Sequence, residues 1–171
     1  WFEGDWLVKS TDLNNDPQEE LTYKVNFYKN QFGDVVANRS QNSESIGKSM
    51  FGNRILKVNN DPNSFNNQIT YLTNNEYIES RLTIRKQTYD KGIFWADEFA
   101  IQTYHKNGVS RINQVEVMSK FFECSDEFIS SGKNDICGYQ YVATYGSRVG
   151  DVVAKNIKSN KYKLIFKAIE G

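Results

Sequence analysis

The chain has 171 residues, of which 39% are hydrophobic, 25% charged and 14% aromatic. That composition describes a globular protein and excludes disordered, fibrous and low-complexity chains. Lys+Arg and Asp+Glu both number 21, so the basic excess expected of a general nucleic-acid binder is absent. No apolar run approaches the roughly 20 residues needed to cross a bilayer. The first residue is Trp1 rather than Met, so the numbering is expected to start either after processing, as in an exported precursor, or after further residues.

Taken in chain order, strand-like runs alternate with turn signals. Residues 5–11 form the first predicted strand. Residues 21–28 alternate cleanly, with Leu21, Tyr23, Val25 and Phe27 on one face and Thr22, Lys24 and Asn26 on the other. Residues 35–39 form a third run. Residues 43–51 are the one predicted helix: Ser43 is placed to cap it, Ile46 and Met50 share a face, and Gly52 ends it. Short strands follow at residues 54–58 and 68–73, separated by a turn-rich stretch at residues 59–67. Asn74-Asn75 then suits a tight turn before a long strand at residues 77–89.

On that strand the alternation sets Ile78, Leu82 and Ile84 against Glu79, Arg81, Thr83 and Arg85. The strongest local signal is Asn107-Gly108 between two β-rich runs spanning residues 93–122, the pair favoured in a type I′ hairpin turn. Opposed residues should then have numbers summing to 215, so that Phe99 faces Glu116 and Ile101 faces Gln114. Both faces of this hairpin mix apolar and polar residues, which suits a barrel with a partly polar lumen. Residues 138–145 and 161–169 complete the set. We therefore expect a single all-β domain over residues 1–171, an antiparallel barrel with one short helix.

Few residues suggest chemistry. The only histidine, His105, falls in a predicted turn, so no Ser/His/Asp or Cys/His arrangement is expected. Asp97, Glu98 and Glu116 could form an acid/base pair, but adjacent strand residues point to opposite faces. Asp12 to Asp16 has the spacing of a Ca²⁺ loop, yet Pro17 and Tyr23 stand where the turn glycine and the bidentate glutamate should be. No metal, cofactor or catalytic residue is expected. Arg81 and Arg85 share a predicted face; they either grip an anionic head group or belong to a solvent-facing charge ladder. With Trp95 and Phe99 they are the candidate ligand-binding residues. Cys124 and Cys137 bracket a polar segment, as unrelated buried thiols or as a disulfide.

Gly4-Asp5-Trp6 resembles the opening of lipocalin-like (calycin-type) barrels. That resemblance implies that Trp6 plugs one barrel end beneath a late-strand cation, Lys161 or Lys163. A wider set of segments resembles an uncharacterised family of thylakoid-associated proteins from cyanobacteria and plastids. It comprises Trp1-Phe2-Glu3-Gly4-Asp5-Trp6, Asp34 to Arg39 running into Ser45-Ile46-Gly47, Asp61-Pro62 followed by Asn67 to Thr70, and Trp95 to Gln102. The family implies a lumenal setting, which would suit a Cys124–Cys137 bond, and supplies no catalytic residues. The expected function is a non-catalytic lumenal accessory subunit of a photosynthetic complex, most plausibly a photosystem. It would dock through the ends of the 93–122 hairpin and the 125–136 loop. Two alternatives stand beside it: a lipocalin-like carrier of a lipid, pigment or other apolar ligand, and a chromophore-lyase-like enzyme by barrel analogy. A wide lumen headed by arginine would favour the carrier, and a filled core with an exposed aromatic patch would favour the subunit.

Overall fold

In the computed structural model, which describes residues 2–125, 135–146 and 155–169, the period-two alternation becomes ten antiparallel strands. They are β1 (Gly4–Asp12), β2 (Glu20–Lys29), β3 (Val35–Ala37), β4 (Ile55–Asp61), β5 (Ser64–Leu72), β6 (Tyr77–Asp90), β7 (Ile93–Lys106), β8 (Val109–Glu123), β9 (Ile136–Gly146) and β10 (Lys155–Ala168). They form one curled sheet in the order β3-β2-β1-β10-β9-β8-β7-β6-β5-β4, a half-barrel of lipocalin-like form. The expected fold is therefore the observed one. Residues 59–67, expected as turns, instead extend β4 and β5 to a tight turn at Pro62-Asn63.

Turn chemistry sets the register. Asn107 and Gly108 both take positive φ, 50° and 75°, and β7 pairs with β8 as the turn dictates: Phe99 opposes Glu116 and Ile101 opposes Gln114. Asn74 and Asn75 likewise adopt φ of 62° and 57°. Lys91-Gly92 repeats the device between β6 and β7.

The sheet does not close by strand pairing. β3 and β4 are its edges, and helix α1 (Arg39–Phe51) lies between them against β2 and β4. Its polar side chains take up the edge backbone. Asn42 holds Asn26 on β2, and Ser45 Oγ accepts from the Lys24 amide at 3.1 Å. On the other side Glu44 accepts from the Val58 amide at 3.1 Å and Ser43 Oγ donates to Gln68 at 3.1 Å. The part of β2 that β3 does not reach, and Val58 on the β4 edge, are thus capped rather than left to recruit another strand. The helix begins four residues before its expected start, at Arg39, so Ser43 sits inside it and does not cap it. Gly52 ends it with φ of 58°, as expected.

The inward face carries the core. Trp6, Val8, Val25, Ile136, Leu164 and Phe166 pack with Phe2, Tyr23, Phe27, Phe121 and Ile46 of α1. A second cluster at the far end joins Ile55, Val58 and Leu72 to Ile78 and Tyr104. Trp6 is a core residue at 5% exposure, and among the described residues no cation–ring contact to it occurs. Its Nε1 donates to the Phe2 carbonyl at 2.8 Å, and its ring meets Phe2 and Phe166 edge-on. Lys161 and Lys163 alternate with the inward Tyr162 and Leu164, so both lie on the outer face.

Candidate functional site

One end of the half-barrel holds a cavity of ≈ 670 Å³, within the usual range for small-molecule sites. Its walls are largely aromatic. Phe2 and Phe27 come from the β1–β2 side, and Phe94 and Phe121 from neighbouring positions on β7 and β8. Val35, Val36 and Ala37 of β3 complete an apolar wall, with the exposed Tyr89 at the rim. Gly138 opposes Phe121, and a Cβ there would meet the Phe121 ring at 2.6 Å and the Lys120 carbonyl oxygen at 2.7 Å. The glycine is what lets the Phe121 ring lie where it shapes this wall.

Set into the apolar wall are Arg39, Arg85 and Glu98, with the neutral Gln87, Ser119 and Gln140. Arg85 Nε donates to Glu98 Oε1 at 2.7 Å, across the β6–β7 pair in which the two residues are direct partners. Arg39, the first residue of α1, donates from Nη1 to the Phe65 carbonyl. Burial lowers the pKa of the Arg39 guanidinium, and the positive charge of Arg85 lowers it further, against the opposing pull of Glu98. Two guanidiniums and one carboxylate thus share the polar end of an apolar chamber.

The structure separates the expected ligand-binding residues. Arg85 lines the cavity, whereas Arg81 pairs with Ile101 on the outer face. The cause is a bulge at Thr83: Leu82 pairs with Ala100 and Ile84 with Phe99, leaving one extra residue on β6. Each side chain beyond the bulge therefore changes face, and Ile84 goes outward, 49% exposed. Trp95 and Phe99 also lie on the outer face, alternating with the inward Phe94, Ala96 and Glu98. Lys120 Nζ lies 5.1 Å from the Trp95 ring centroid. Arg39, Phe94 and Phe121 were missed. The parity of β7 could have found Phe94, but nothing in the sequence marks Arg39 as a cavity residue.

Of the three suggested carboxylates, Glu98 is inward and apart from Asp97 and Glu116, which lie on the outer face, where Glu116 accepts from the Tyr145 hydroxyl at 2.8 Å. His105 lies on β7 rather than in a turn. It stacks on Tyr77, and its ring nitrogens meet Ser110 Oγ at 2.9 Å and Glu79 Oε2 at 3.0 Å. This Ser–His–Glu line escaped the sequence reading because its members converge only through strand pairing. It lies on a strand surface away from the cavity lining. The Asp12 carboxylate is occupied within the fold, accepting from the Asn14 amide, Asn15 Nδ2 and Asn160 Nδ2. Among the described residues no cluster of three metal-ligating side chains occurs.

Cys124 and Cys137 are joined in a disulfide. Residues 126–134 of the segment it brackets, expected as a docking loop, lie outside the described residues. No described helix is long and apolar enough to cross a membrane.

A family model described as a domain of unknown function, DUF6816, matches residues 1–166. The chain belongs to that family. No curated protein and no solved structure matches the DUF6816 chain.

Proposed function

We propose that this DUF6816 protein is a non-catalytic binder of an amphipathic small molecule, held in the cavity at one end of its half-barrel. The observation that carries this reading is the cavity itself: large enough for a ligand, walled by Phe2, Phe27, Phe94 and Phe121, and headed by Arg39 and Arg85. A pocket with an apolar body and few convergent polar groups is the usual form of a small-molecule site. It is also the arrangement that favours a carrier over a protein with a filled core. The disulfide supports an oxidising compartment, and the likeness to thylakoid-associated proteins makes the thylakoid lumen our proposed setting. Native mass spectrometry of the protein isolated from its own cells tests the reading. A bound small molecule released by organic solvent is expected, and a ligand-free mass would count against it.

A second reading, docking on a membrane complex such as a photosystem, is favoured by Val109 and Ile112, which are 61% and 62% exposed near the tip of the β7–β8 hairpin. Exposed aliphatic side chains at such a tip are suited to an interface. Gentle detergent extraction and pull-down should recover the complex with wild-type protein and lose it with Val109→Asp/Ile112→Asp.

A further inference from the structure

We propose that the ligand carries a single negative charge, a carboxylate seated between Arg39 and Arg85. The inference rests on the reading of the cavity as a ligand site and names the chemistry of the ligand's polar end.

Three observations converge. First, the polar residues on the cavity wall are unbalanced. Arg39 and Arg85 contribute two positive charges and Glu98 one negative, while Gln87, Ser119 and Gln140 are neutral. Among the described lining residues one positive charge is left over, so a monoanion would neutralise them. A dianion would overshoot, and an uncharged ligand would leave a cation beside an apolar wall.

Second, each guanidinium is anchored by one edge. Arg85 is held through Nε by Glu98, and Arg39 through Nη1 by the Phe65 carbonyl. Among the described residues the Nη groups of Arg85 donate to no hydrogen bond, and Arg39 has no other acceptor. Anchored, planar donors with free N–H groups are what a carboxylate engages most strongly. Glu98 is then a positioning residue, fixing Arg85 at the cost of part of its charge.

Third, the two guanidiniums interact unfavourably with each other, while Arg39 begins an α-helix with no side-chain cap and no acidic residue in its first turn. A bound anion relieves the repulsion and faces the positive end of the helix. The apolar wall of Phe27, Phe94, Phe121 and Val35 to Ala37 takes up the rest of the molecule. A fatty-acid-like or other apolar monocarboxylate matches both halves.

The test compares palmitic acid, its methyl ester and acetate by displacement of a fluorescent fatty-acid probe from the purified full chain, with a tritiated ester as a direct check. The acid is expected to bind at least about tenfold more tightly than the ester, and acetate not to compete. Arg39→Gln and Arg85→Gln should each weaken acid binding by more than ester binding, so that the preference for the acid is lost. Glu98→Gln, which removes the opposing charge, should strengthen acid binding, an effect that mere damage to the fold would not produce. Acid and ester binding equally would overturn the monoanion inference while leaving the cavity reading intact. No binding of either, or acetate competing as well as the acid, would overturn the cavity reading as well.

Discussion

The side-chain amide of Asn42 lies against the backbone of Asn26 as the peptide of a neighbouring strand would. Its Oδ1 accepts from the Asn26 amide at 2.8 Å, and its Nδ2 donates to the Asn26 carbonyl at 3.0 Å. β3 pairs with β2 only at Phe27 to Lys29, so the Asn42 side chain, together with the Asn38 amide 3.0 Å from the Asn26 carbonyl, continues the ladder where the strand stops. With Ser45 on the same edge and Glu44 on that of β4, it makes α1 the seam of the half-barrel.

Replacing Asn42 with Ala should therefore cost about 2 kcal/mol, because it leaves the Asn26 amide without its acceptor, while the Asn26 carbonyl keeps the Asn38 amide at 3.0 Å. Asn42→Asp, which keeps the acceptor and loses the donor, should fall between the two. Urea unfolding measures the loss, and amide exchange at Asn26 should accelerate in the Ala variant. Unchanged exchange would mean that the seam is held elsewhere.

The far end of the half-barrel is sensitive to acid. Glu76 is buried, with its carboxylate 2.8 Å from Lys106 Nζ and 2.9 Å from Arg54 Nη2, and it also accepts from the Tyr104 hydroxyl. Lys106, then Tyr104 and Arg54, hold its pKa at about 2, below the ordinary 4.5. A carboxyl lowered on folding stabilises the native state above its unfolded pKa, and that contribution is lost as pH falls toward its folded value. Glu76→Gln should thus melt several degrees lower than wild type at pH 7, with the gap closing between pH 4.5 and pH 2. A gap that persisted at pH 2 would point to packing rather than charge.

The Cys124–Cys137 bond closes a loop with a sequence separation of 13, which corresponds to about 3 kcal/mol in the chain-entropy description. Reductant should lower stability by that order in the wild type and leave Cys124→Ala/Cys137→Ala unchanged. Equal sensitivity to reductant in both proteins would refute this.

These features differ in how far they could be read from sequence. The β7–β8 register was legible to the residue, because Asn107-Gly108 selects a turn whose geometry fixes every pair that follows. The bulge at Thr83 was not: one extra residue leaves no mark in an alternating pattern, yet it turned Arg85 inward while Arg81 stayed outside. α1 was found but started too late. It meets strand edges through Asn42, Glu44 and Ser45 as much as it meets the core through Ile46, so its first turns lack an apolar stripe. Arg39 was hidden for the same reason, since its place at the cavity follows from where the helix begins.

The most direct test of the central claim is titration with anilinonaphthalene sulfonate, an aromatic monoanion, of the wild type and of Ala96→Trp. Ala96 faces the cavity from β7, between Gln87 and Ser119 on the flanking strands, so an indole there fills the chamber. Circular dichroism establishes that the variant keeps its fold. Saturable binding of one probe per chain in the wild type, lost in folded Ala96→Trp, is the expected result. The absence of saturable binding in the wild type, or equal binding by the filled variant, would contradict a ligand site inside the half-barrel.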